Sequence, residues 1–167
     1  MSADEDAGGA NGDAASSTRM ASSFTKGERY HARSDVESHA SASARKALQQ
    51  ASIPSSVTEL GDWAFWGCRN LPEVQLHEGL EIIGKGTFEG CRALQRVIIP
   101  SSVTKLGSCA FDGCRNLAEV RFNEGLEIIG GDAFHICDAL QQMTIPSSVT
   151  KLGNWAFQGC SSLTKVQ

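Results

Sequence analysis

Ile99-Pro100-Ser101-Ser102-Val103-Thr104-Lys105-Leu106-Gly107-Ser108-Cys109-Ala110-Phe111-Asp112-Gly113-Cys114-Arg115-Asn116-Leu117-Ala118-Glu119-Val120 is one turn of a pattern that recurs every 23 residues. The period carries a cysteine at Cys68, Cys91, Cys114, Cys137 and Cys160. Three residues earlier stands a phenylalanine, at Phe65, Phe88, Phe111, Phe134 and Phe157. Three residues later stands a leucine, at Leu71, Leu94, Leu117, Leu140 and Leu163. Self-similarity at a fixed period of this size marks stacked structural repeats, none of which can bury its apolar face alone.

Each repeat contains an alternating apolar block: Val74 and Leu76 flank Gln75, Val97 and Ile99 flank Ile98, Val120 and Phe122 flank Arg121, Met143 and Ile145 flank Thr144. Period-2 alternation is the mark of a strand. A turn follows, then a second apolar pair (Leu80/Ile83, Val103/Leu106, Leu126/Ile129) and a glycine at 61, 84, 107, 130 and 153. The returning Ala-Phe-x-Gly-Cys stretch is too short for an α-helix and reads as one 3₁₀ or loose helical turn. Ile136 stands where Gly67, Gly90, Gly113 and Gly159 stand, which predicts a local distortion.

A longer period of 46 lies on the first. Ile53-Pro54-Ser55-Ser56-Val57-Thr58 recurs at 99–104 and 145–150, while the intervening turns carry Glu78-Gly79 and Glu124-Gly125. Proline fixes φ and glycine permits φ > 0, so two local solutions close the same corner. A duplicated two-repeat unit is implied.

With five coils in register over residues 48–167, the pattern resembles the BspA-type leucine-rich repeat. The resemblance implies a right-handed α/β-type solenoid, with a parallel sheet on its concave face and short turns on the convex side. It also implies binding through exposed strand positions that vary between repeats, and it supplies no catalytic residues. Microbial surface proteins that attach to host matrix or other cells belong to that family. Where the commoner leucine-rich pattern has asparagine after the strand, this chain has Ser56, Gly79, Ser102, Gly125 and Ser148, so no asparagine ladder is expected.

The 167 residues carry a net charge of −4. Through residue 50 there are 7 acidic and 6 basic residues; beyond it, 12 and 9. Neither part is basic, so nucleic acid and anionic membrane are not the expected partners. No apolar run is long enough to span a membrane. The start, Met1-Ser2-Ala3-Asp4-Glu5-Asp6, lacks the features of a secretory signal, which points to an intracellular, cytoplasmic protein with reduced thiols. Residues 1–33, rich in Ser, Ala, Gly and Asp, read as a disordered arm. In 34–47, Ser34 and Glu37 form a capping-box pattern ahead of Val36, Ala40, Ala44 and Ala47, so this segment reads as a capping helix. Trp63 and Trp66 are read as packing under it, or as a partner-binding aromatic patch.

The five periodic cysteines and phenylalanines are assigned to a buried core ladder. Zinc wants four ligands converging on a point rather than a line, and parallel Cβ vectors disfavour disulfides. No metal and no cofactor are expected. Cys109 lies outside the ladder, in a column with Trp63, Gly86, Asp132 and Trp155, and is expected to be partly exposed. His31, His39, His77 and His135 occupy unrelated columns, and no catalytic set is suggested; the column of His135 (Trp66, Glu89, Asp112, Gln158) reads as solvent-facing. The expected site is the outward strand face: Glu73, Gln75, Arg96, Ile98, Glu119, Arg121, Gln142, Thr144 and Lys165. The first expectation is therefore a non-enzymatic protein-binding module. The alternatives are a unit of a longer array that self-associates end to end, and an adhesive surface protein.

Overall fold

The alternation in Arg96-Val97-Ile98-Ile99 becomes alternating exposure: Arg96 and Ile98 face out, Val97 and Ile99 are buried. That is the geometry of a strand with one face on a core. The structure, a computed structural model, describes residues 29–30, 49 and 51–167. The segment 34–47 lies outside the described residues, as does most of the N-terminal arm.

Each coil contributes two strands, and all pairings are parallel. Strands β1 (Arg29–Tyr30), β3 (Glu59–Leu60), β5 (Ile82–Ile83), β7 (Lys105–Leu106), β9 (Ile128–Ile129) and β11 (Lys151–Leu152) form one six-stranded sheet in that order. On the other side of the coil, β6 (Arg96–Ile99), β8 (Glu119–Phe122), β10 (Gln142–Met143) and β12 (Lys165–Val166) form a four-stranded sheet. A bridge from Glu73 to Arg96 joins it to the pair β2 (Ala51–Ser52) and β4 (Val74–Gln75). The result is a solenoid of parallel strands. Register partners such as Arg96 and Glu119, or Ile82 and Lys105, lie one repeat apart. Strand β1 extends the first sheet by a coil, within a segment whose composition suggested disorder.

Between the sheets runs the core. Phe65, Phe88, Phe111 and Phe134 are fully buried and stack face to face at centroid distances of 5.2, 5.2 and 5.3 Å; Phe157 continues the stack at 5.6 Å. Such pairs contribute about 0.5–1.5 kcal/mol each beyond their buried area. Phe157 and Cys160 are only partly buried, because they have a coil on one side only. The cysteines do more than fill space. Cys91, Cys114, Cys137 and Cys160 each donate through Sγ to the carbonyl of the phenylalanine one coil back, at 3.1, 3.1, 3.3 and 3.1 Å. A small apolar residue with a weak donor suits that position.

Among the described residues the corner forms turns and no regular helix, so the expected 3₁₀ or helical turn is not confirmed. The reason lies in the backbone donors. Ala64 N, Trp66 N and Cys68 N bond back to Gly61 O, Trp63 O and Phe65 O, but the N–H groups between them donate to the next coil: Trp63 to Lys85 O, Phe65 to Thr87 O, Gly67 to Glu89 O. Half the donors a helix would need are spent between coils. Two left-handed residues four apart make this possible in every coil, as at Cys109 (φ 58°) and Gly113 (φ 69°). The corner at Ile136 is altered in part: the bond from Cys137 N to Phe134 O is absent, although Cys68, Cys91, Cys114 and Cys160 all make its counterpart. Ile136 itself adopts φ 54° in place of glycine, and its N–H bonds Gln158 O at 2.9 Å in the regular pattern. For a β-branched residue that conformation is strained.

The two turn forms interlock. Gly79 N donates to Ser102 Oγ at 2.9 Å, and Ser102 Oγ donates to Leu80 O at 2.7 Å. Gly125, Ser148 and Leu126 repeat the arrangement. Serine thus tends the backbone where no asparagine is available. Glu78 accepts from Ser101 N, Ser101 Oγ and Ser102 N at 3.0–3.2 Å. Gly125 (φ 125°) is irreplaceable on two counts, because a Cβ there would lie 2.2 Å from Ser101 O.

Candidate functional site

The register brings the nine outward strand residues onto one face of the long-strand sheet. Glu73, Arg96, Glu119, Gln142 and Lys165 are register neighbours in one row across the coils. Ile98 stands opposite Arg121, two residues further along the strands. Arg96 pairs with Glu73 on the adjacent strand at 3.3 Å. Glu119 is instead held by Arg121 of its own strand, which leaves it half-buried. Gln75, Gln142, Thr144 and Lys165 are exposed, Thr144 just past the end of β10.

Two features break this polar surface. Ile98 is 47% exposed at its centre, beside the Glu73–Arg96 pair. A shallow, open groove of about 390 Å³ lies between β8 and β10, floored by Val120 and Met143 and edged by Glu119, Arg121, Gln142 and Thr144. The ladder between these strands holds a single register pair, Gln142 with Glu119. Phe122, where other coils have leucine or isoleucine, turns its ring edge-on to Phe134 at 5.8 Å.

At the Ala-Phe-x-Gly-Cys corner the structure assembles residues that the sequence reading kept apart. Glu89, Cys109 and Asp112 are half-buried, and their ligand-type atoms all lie within 4.8 Å of one another. His135 Nδ1 lies 3.0 Å from Asp112 Oδ1. Trp66 Nε1 donates to Glu89 Oε1 at 3.2 Å. The column read as solvent-facing is exposed at its ends, Trp66 and Gln158, and half-buried at Glu89, Asp112 and His135, with two bonded pairs along it. The legible signal was the period itself: Glu89, Asp112 and His135 are successive members of one column, and Cys109 precedes Asp112 by three. Burial raises the Cys109 thiol above its ordinary pKa, as do the negative charges of Asp112, Asp132 and Glu89. Desolvation likewise pushes Cys114 up, and the hydrogen bond with the Cys68 thiol, followed by burial, does so at Cys91.

Trp63 covers Gly86, where a Cβ would lie 2.5 Å from its ring, and Lys85 Nζ sits 5.3 Å from the ring centroid. Trp66 is 46% exposed. The segment proposed to cover both, 36–47, is outside the described residues. So are His31 and His39.

The family model described as "BspA type Leucine rich repeat region" matches residues 37–164 in six copies, starting ahead of residue 48, where the regular coils were read to begin. Among solved structures, the chain is similar to the T. pallidum leucine-rich repeat protein TpLRR: 33% identity, TM-score 0.69, covering 71% of this chain and 57% of that one. A leucine-rich cell surface protein from Faecalibacterium prausnitzii shares 27% identity, TM-score 0.56, over 71% of this chain and 38% of that one. The pneumococcal vaccine antigen PcpA shares 26% identity, TM-score 0.60, over 71% of this chain and 29% of that one. The chain therefore spans little more than half of TpLRR and less of the others. No curated protein matches it.

Proposed function

Since the chain belongs to the BspA-type leucine-rich repeat family, we propose that it is a non-enzymatic module that holds a protein partner against its long-strand sheet. One observation carries the reading: Ile98, half-exposed at the centre of a face whose other side chains are polar or charged. An apolar centre ringed by polar groups is the anatomy of a protein interface. Side chains fixed on hydrogen-bonded strands lose little freedom on binding, which lowers its entropic cost. Arg96 and Arg121 already lie in ion pairs, so they are oriented before a partner arrives.

The test is affinity capture with the intact chain and with Arg96→Ala, Ile98→Ala and Arg121→Ala combined. All three residues are exposed, so the variant should unfold within a few degrees of the parent. Loss of the captured protein from a folded variant supports the site; undiminished capture refutes it. We place this work inside the cell, in keeping with six unbridged cysteines, four of them buried. A second reading, attachment at a cell surface, is favoured by the similarity to the Faecalibacterium protein described as a cell surface protein. Protease treatment of whole cells separates the two, since only a surface protein is degraded.

A further inference from the structure

We propose that Glu89, Cys109 and Asp112 form a binding site for a borderline-soft divalent cation of the zinc type, with His135 holding Asp112 in place from the adjoining coil. The ligand set is mixed, a thiol and two carboxylates from two adjoining coils, and the imidazole of His135 on the third bonds Asp112. Tetrahedral ligands at 2.0–2.3 Å from zinc lie roughly 3.5 Å apart. The 4.8 Å limit on the present separations leaves small side-chain rotations to close. The three ligands would leave a fourth position for water.

Charge points the same way. Glu89 and Asp112 are half-buried near Asp132, and among the described residues no Lys or Arg forms an ion pair with any of the three. Lys85, the cation that acts on this corner, also lies against the Trp63 ring. Elsewhere on the molecule exposed and half-buried carboxylates do find arginines, as Glu73, Glu119 and Asp138 show. Like charges gathered in a partly dry site favour a bound cation. On metal entry the Cys109 thiol would give up its proton to solvent as the metal–thiolate bond forms. Hard cations such as Mg²⁺ and Ca²⁺ take oxygen ligands and gain nothing from the thiol. The Asp112–His135 contact matches the carboxylate–histidine pairs that orient metal ligands from behind, with the roles exchanged.

The test titrates the reduced, full-length chain with Co²⁺ as a spectroscopic substitute for zinc. The expected result is a thiolate-to-metal charge-transfer band that saturates at one equivalent with micromolar affinity. Cys109→Ser should abolish that band, and His135→Ala should weaken binding about tenfold. Absence of the band in the parent chain would overturn the proposal. So would its persistence in Cys109→Ser, which would assign the metal to other thiols. A second readout needs no variant: Zn²⁺ should slow alkylation of Cys109, followed by mass spectrometry, while leaving Cys160 unaffected. Equal labelling of Cys109 with and without Zn²⁺ would also overturn it.

Discussion

Two adjacent columns of the same corner follow opposite rules. Phe65, Phe88, Phe111, Phe134 and Phe157 are identical in every coil, while the residues directly after them, Trp66, Glu89, Asp112, His135 and Gln158, never repeat. The backbone is the same for both. The difference is what each side chain meets: the first column stacks ring on ring in the core, and the second faces outward. Repetition therefore reports packing, and variation reports surface that is free to acquire a use. The long-strand sheet obeys the same rule, with Val74, Val97, Val120 and Met143 buried, and Gln75, Ile98, Arg121 and Thr144 outward.

The comparison can be broken most severely in the invariant column. Phe111→Ala should destabilise the fold by about 3–5 kcal/mol, measured by urea unfolding, because it removes two stacking contacts and leaves a cavity. Asp112→Ala, one residue on, should cost below about 1 kcal/mol. Similar losses at both sites would show that the columns are not distinct.

The left-handed corner position gives the next effect in size. Gly113→Ile should cost about 1–2 kcal/mol, since φ 69° suits glycine and strains a branched side chain. Ile136→Gly should gain up to about 1 kcal/mol in the same assay, from relief of strain at φ 54°. A loss on Ile136→Gly would mean that its contact with Gly159 outweighs the strain.

A pH dependence should come from the interlocked turns. Hydrogen bonds from the Ser101 backbone and hydroxyl hold Glu78 below its ordinary pKa of 4.5. A carboxylate with a depressed folded pKa stabilises above its unfolded pKa, and the contribution is lost as pH falls through the folded value. Thermal unfolding should therefore fall less steeply below pH 4.5 in Glu78→Gln than in the parent. Identical slopes would remove Glu78 from the account. The smallest effect belongs to the exposed pair Glu73–Arg96, for which Glu73→Gln should change stability by below about 0.5 kcal/mol.

Much of this was legible in the sequence, because a 23-residue period fixes which residues become neighbours. The period places the core ladder and the long-strand face; the second sheet, at Glu59–Leu60, Ile82–Ile83, Lys105–Leu106, Ile128–Ile129 and Lys151–Leu152, is not legible as strand because each strand is only two residues long and shows no alternation. No regular helix forms at the corner because spacing alone does not say where the backbone N–H groups donate, and here alternate ones serve the next coil. Ile136 keeps the φ of the glycine it replaces and its inter-coil bond, while the local bond from Cys137 N to Phe134 O is lost, so the distortion is confined to the corner's own hydrogen bonds. Cys109 is read along its own column, whereas its neighbours are Glu89 and Asp112, one coil back and three residues on. The column of Cys109 looked unconstrained because its side chains differ. Its constraint is on φ, which the side chains do not announce: Trp63, Cys109, Asp132 and Trp155 all sit between 55° and 58°.

The central claim is that the outward strand face, not the corner, meets the partner. The most direct measurement places a photo-activated crosslinking amino acid at position 98 and, in a separate chain, at position 116, an exposed site on the corner side. Irradiation in cells should give a specific adduct from position 98 that Arg121→Ala reduces, and none from position 116. Adducts from position 116 alone would contradict the account.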